Sequence, residues 1–148
     1  METLQHKFVS SIPDQIDELT LYISMEYGTA IHKCVCGCGN EVVTPFSPTD
    51  WELNFNGKSV SLSPSIGNWS FKCQSHYWIV KNKVRYVSKW TYDEIDENRK
   101  ADKKKKNEFY SGKQVVESEF EQQFVISEKL KDSNSKWNSF KTFVSELF

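Results

Sequence analysis

Three thiols fall within five residues in Cys34-Val35-Cys36-Gly37-Cys38-Gly39, and the remaining cysteine of the chain stands in Cys73-Gln74-Ser75-His76. Two short arms rich in thiolate and imidazole, distant in sequence, are what a tetrahedral zinc site needs. The glycines after Cys36 and Cys38 allow sharp turns that aim backbone amides at the sulfurs. The expected ligands are Cys36, Cys38, Cys73 and His76. Cys34, on the same side of an extended strand as Cys36, either replaces one of the paired thiolates or sits behind them. His32 has the same parity and is the weaker alternative. The cofactor expected is Zn2+ in a structural role, because a thiolate-rich site closes itself and leaves little Lewis acidity for activating water.

A second unusual segment, Ser61-Leu62-Ser63-Pro64-Ser65-Ile66-Gly67-Asn68-Trp69-Ser70, lies just before the second arm. It reads as a recognition or reaction loop held against the metal centre, with Ser63, Ser65, Asn68 and Trp69 as binding residues. The alternative is a turn-rich connection whose Ser and Asn side chains bond local backbone. No Gly-x-Ser-x-Gly elbow or Ser-His-Asp arrangement can be assigned, so no catalytic residue is named. The zinc-deaminase signature is absent as well.

A net charge of -1 excludes a whole-molecule electrostatic drive onto nucleic acid or anionic membrane. No apolar run approaches the roughly 20 residues of a membrane span, and Met1 to Phe8 lacks the pattern of a signal peptide. A cytoplasmic chain is expected, where such cysteines bind metal more often than they form disulfides.

These residues need a scaffold, and composition divides the chain near residue 90. Residues 1–90 hold every cysteine, proline and histidine and four of the five tryptophans. They read as strands at Leu19–Ser24, Ala30–Cys34, Glu41–Pro45, Trp51–Phe55, Ser59–Leu62, Trp69–Cys73, His76–Val80 and Val84–Trp90, with Asn56-Gly57 as the clearest hairpin turn. Residues 91–148 change character. Tyr92–Glu108 is a charged helix or linker, Ser111-Gly112 is a break, and Val115–Leu130 and Lys136–Phe148 are helical. Trp137, Phe140, Phe143, Val144, Leu147 and Phe148 share one helical face, expected to dock on the β domain. The fold class expected is mainly β, a small zinc-stapled domain with a helical C-terminal appendage, α+β overall.

The words Glu26-Tyr27-Gly28-Thr29-Ala30-Ile31-His32-Lys33-Cys34-Val35-Cys36-Gly37-Cys38-Gly39, Glu41 to Trp51, and Ser61 to Ile79 resemble a bacterial family catalogued as a domain of unknown function, over roughly residues 7–90. The resemblance implies a compact metal-binding domain encoded near ubiquitin-like proteins, E1-like and E2-like enzymes and JAB-type peptidases, in loci linked to phage defence. The function expected is therefore a non-catalytic zinc-binding adaptor of a ubiquitin-like modification or defence system. Its partner would be a ubiquitin-like, E1-like or E2-like protein. The alternatives are a metal- or thiolate-dependent hydrolase or transferase of the same system, and a zinc-ribbon-like nucleic-acid binder. Trp51, Trp69, Tyr77, Trp78 and Trp90 would stack bases in the last case and form a β-domain core otherwise.

Overall fold

A computed structural model describes the backbone of residues 2–145 and the side chains of residues 2–114, 116–119, 121 and 122. The chain runs β1 (Gln5–Phe8), β2 (Thr20–Ser24), β3 (Thr29–Lys33), β4 (Glu41–Pro45), β5 (Glu52–Phe55), β6 (Val60–Gly67), β7 (His76–Val80), β8 (Lys83–Tyr86) and α1 (Tyr92–Ser145). It is mainly β with a helical C-terminal appendage. Strands β1 to β4 form one four-stranded sheet in sequence order, and β5 to β8 form another. Only the β1–β2 pair is parallel.

Alternation builds the core. Val42 and Thr44 of β4 are buried between exposed Glu41, Val43 and Pro45, as period-2 burial requires. Leu21, Ile23, Ala30 and Val42 from the first sheet share one apolar cluster with Val60, Leu62, Ile66, Tyr77, Ile79 and Val84 from the second. Each of the larger side chains contributes about 1.5–3 kcal/mol by leaving water. Asn56 closes the β5–β6 hairpin as expected, its Oδ1 accepting from Lys58 N at 3.0 Å and Ser59 N at 2.9 Å.

Two expected strands differ, and one further strand was not expected. Trp69–Cys73 is a turn, not a strand: Asn68 N donates to Ser75 O, Phe71 N to Asn68 O and Gln74 N to Phe71 O. The chain must reverse there to carry Cys73 back toward the first cysteine arm. β6 extends past Leu62 to Gly67, so much of the serine-rich loop is strand. The Ser63–Pro64 bond is cis, and the β6–β7 register shifts between Leu62 and Ile66; such an irregularity accommodates a proline inside a sheet. Strand β1 had no sequence signal, since three of its four residues are exposed.

Helix α1 opens on a capping box, with Glu94 N donating to Thr91 Oγ1 at 3.3 Å and Thr91 N to Glu94 Oε2 at 2.7 Å. Ser111-Gly112 does not break it, because an interior glycine costs only about 1 kcal/mol. The two expected helices are one. The aromatic face from Trp137 to Phe148 lies outside the described side chains. The chain divides into two units, 1–102 and 103–148. Among the described residues no helix is long and apolar enough to cross a membrane.

Candidate functional site

The first cysteine arm leaves β3 and turns back into β4. Cys34 N donates to Asn40 O at 2.7 Å and Gly37 N to Cys34 O at 3.0 Å. Gly37 and Gly39 take φ of 85° and 79°, a backbone region that a side chain disfavours. This knuckle brings Cys34, Cys36 and Cys38 to Cys73, and the four sulfurs lie within 4.8 Å of one another. Cys34 Sγ is 3.3 Å from Cys36 Sγ and 3.9 Å from Cys73 Sγ, and Cys38 Sγ is 3.8 Å from Cys73 Sγ. A tetrahedral ion with metal–sulfur bonds of ~2.3 Å separates its sulfurs by roughly 3.8 Å. The cluster has the dimensions of a four-thiolate metal site.

Electrostatics within the cluster are unequal. Burial pushes the Cys36 thiol up to about 12 and raises that of Cys34. The Asn40 backbone is the main influence bringing Cys38 down to about 7, and Asn40 Nδ2 also donates to its sulfur at 3.2 Å. A dication would favour the thiolate form of all four.

Behind the cluster runs a buried polar chain. Ser75 Oγ lies 3.1 Å from Cys34 Sγ, and Asn68 Nδ2 donates to Ser75 Oγ at 2.9 Å and Tyr77 Oη at 3.3 Å. Tyr77 Oη in turn meets His32 Nε2 at 2.8 Å. His32 therefore stands behind the sulfurs and outside their group. Desolvation lowers its pKa to about 4, which keeps the ring neutral. Asn68 belongs to this chain and braces Ser75.

The group of four sulfurs includes Cys34 and leaves out His76, whereas the set expected first had His76 and kept Cys34 in reserve. The β-ladder explains why. His76 opens β7 directly opposite Gly67 of β6. Ser65 is two residues before Gly67, on the same face, and diagonal to His76 across the ladder. His76 Nε2 consequently lies 2.9 Å from Ser65 Oγ. The imidazole thus meets a hydroxyl and not the sulfurs.

Aromatic rings fix this pair. Trp69 and Trp90 stack at 5.2 Å with 18° between their planes, and the His76 ring stands edge-on to each at 4.9 Å. Trp69 reaches that position because residue 67 is glycine; a Cβ there would come within 2.4 Å of the indole. His76 is only 4% exposed. Burial lowers its pKa, and an interaction with the Ser88 backbone opposes the shift without cancelling it. Its Nδ1 is buried without a partner of hydrogen-bonding geometry. Ser65 is half-buried and Ser63 is exposed. A neutral, oriented imidazole hydrogen-bonded to a serine hydroxyl is the arrangement that activates an oxygen nucleophile. Ordinary serine-hydrolase spacing gave no hint of it, because the pairing arises from strand register.

Beside the pair is a groove of about 190 Å³, whose walls include Glu41, Val43, Trp51, Gly67, Trp69 and Phe71. No curated protein and no solved structure matches the chain. Residues 8–87, which contain the sulfur cluster and both members of the Ser65–His76 pair, match the family described as bacterial ubiquitination-like system serine protease (BubE). The chain belongs to the BubE family, and so to a family of a bacterial ubiquitin-like system.

Proposed function

We propose that this protein is a serine protease with Ser65 as nucleophile and His76 as general base, cleaving a peptide bond beside the tail of a ubiquitin-like protein. The observation that carries this reading is the 2.9 Å contact between Ser65 Oγ and His76 Nε2, with the ring held by two tryptophans. In the first step His76 accepts the hydroxyl proton as Ser65 Oγ attacks the substrate carbonyl. The protonated ring then gives that proton to the leaving amine, leaving an acyl-serine. Water, deprotonated by the same imidazole, releases the acid and restores Ser65.

Cys34, Cys36, Cys38 and Cys73 would hold Zn2+. When bound, it supplies a cross-link with no open position for substrate. Cys73 is the sulfur nearest in sequence to His76, and Ser75 between them bonds toward Cys34. The cross-link would thereby hold the start of β7 in place. This arrangement favours the hydrolase alternative over the adaptor expected from sequence, with an oxygen nucleophile in place of a metal-bound water or thiolate. The partner is then a substrate, most simply the ubiquitin-like protein. The setting proposed is a cytoplasmic modification or phage-defence system, with residues 1–90 as the functional domain.

Labelling with a fluorophosphonate followed by peptide mapping tests the assignment. The adduct is expected on Ser65, lost in Ser65→Ala and strongly slowed in His76→Ala. Equal labelling of the His76→Ala variant, or an adduct on another serine, would refute it.

A further inference from the structure

The four backbone groups of Glu41 and Val43 point away from their own sheet. β4 is the last strand of that sheet and pairs only with β3. Its bonds are bracketed by Cys34 N to Asn40 O and by Phe46 N to Gly28 O. Antiparallel pairing alternates, so residues 40, 42, 44 and 46 bond inward and residues 41, 43 and 45 face the open edge. Proline at position 45 agrees, since an edge-facing residue needs no ladder N–H. The Pro45 carbonyl is occupied by Trp51 N at 3.1 Å, which leaves Glu41 and Val43 as the open stretch. Val43 is 53% exposed.

That edge lines the groove together with the run Ile66 to Phe71, which follows Ser65 directly. At about 190 Å³ the groove is smaller than the ~300–1,000 Å³ pockets that enclose compact ligands, and suits one or two side chains. Trp51 also lines it. Free strand-edge amides and carbonyls, a narrow slot and continuity with the nucleophile's own strand all fit one occupant.

We infer that the substrate is an extended peptide segment that adds as a further strand to β4, pairing with the backbone of Glu41 and Val43 and delivering its scissile carbonyl to Ser65. This rests on the Ser65–His76 reading above. The recognition mode is strand addition, in which main-chain bonds hold the ligand and alternate side chains enter the slot.

The test uses the full chain and an internally quenched decapeptide chosen from a random library by wild-type cleavage. Val43→Pro removes one edge N–H and no bond to β3; Val43→Thr keeps that N–H. Val43→Pro is expected to lower kcat/KM about tenfold, mainly through KM, the loss of one backbone bond plus the crowding of the ring. Val43→Thr should lose clearly less than Val43→Pro, and fluorophosphonate should still label Ser65 in both. A second measurement is independent of any variant's folding: N-methylation at successive positions of the decapeptide should impair cleavage at every other position. Unchanged peptide kinetics in a folded Val43→Pro protein overturns the inference, as does N-methyl sensitivity without a period of two. Conversion of a dimer to a monomer by Val43→Pro with unaltered peptide kinetics would assign the edge to a second copy. Fluorophosphonate labelling of Ser65 without cleavage of any linear peptide defeats the strand-addition inference alone. Failure of the labelling itself defeats the catalytic reading and this inference with it.

Discussion

Ser65 and His76 do not face each other across the β6–β7 ladder. Gly67 is the partner of His76, and Ser65 reaches the imidazole on the diagonal, 2.9 Å from Nε2. The glycine leaves the space that the Trp69 indole fills. One small residue thus sets two relationships, the approach of the hydroxyl and the clamp on the ring.

The catalytic pair predicts a sharp split among neighbouring serines. Ser65→Ala and His76→Ala should each reduce kcat/KM by about a thousandfold or more. Ser63→Ala, exposed and two residues away, should stay near the parent value. Hydrolysis kinetics with circular dichroism as a folding check would measure this; comparable losses at Ser63 and Ser65 would argue against the assignment.

Gly67→Ala should act on the pair through Trp69. Its Cβ would meet the indole at 2.4 to 2.6 Å, and that indole is stacked on Trp90 and cannot swing aside without exposing His76. A loss of about 1–3 kcal/mol in stability is expected for such overpacking. kcat should fall further than thermal stability alone accounts for. Trp fluorescence and steady-state kinetics on the same variant test both.

The pH–rate profile should carry the mark of His76. Burial disfavours its charged form, so its pKa lies below the ordinary 6.5. The proposed base is active when neutral, so the rate should rise with pH through a midpoint below 6.5. The same depressed pKa adds stability that is present above pH 6.5 and lost as pH falls below it toward the folded-state pKa. A midpoint above 7 for kcat/KM would contradict a buried neutral base.

Metal content distinguishes the two ligand sets. Cys34→Ser and Cys73→Ser should lose the ion, and His76→Ala should retain it at one per chain, by elemental analysis of purified protein. Chelation should lower Tm by on the order of 10 °C or more, since site formation is coupled to folding. Retention by Cys34→Ser together with loss in His76→Ala would restore the set with an imidazole ligand.

The sequence made the cysteine cluster legible because three cysteines in five residues have few other uses, and the glycines after Cys36 and Cys38 announce the knuckle. It also placed β4 and β7 at their observed limits, since both alternate or run apolar between clear turn signals. Spacing alone favours His76 as a ligand, with Cys34 as a substitute for Cys36 or Cys38 or behind them. Spacing places both near the site, but only the register opposite Gly67 directs the imidazole toward Ser65. Strand β1 was hidden because Gln5, Lys7 and Phe8 are exposed at an edge. The serine-rich segment looked like a loop because Pro64 and Gly67 usually end strands, whereas here an irregular ladder absorbs them. Ser111-Gly112 carries the local signal of a break, but the charged sequence on both sides favours helix and α1 runs through it.

Side chains in a strand reverse direction at every residue, so a slip of a single position between β6 and β7 would turn His76 away from Ser65 altogether. Cys73 lies just before β7, and its sulfur meets those of an arm between β3 and β4 in the other sheet. A metal bound by the sulfur cluster would therefore act as an anchor against misalignment, and what it would lend to the proposed chemistry is fidelity of strand pairing, not charge.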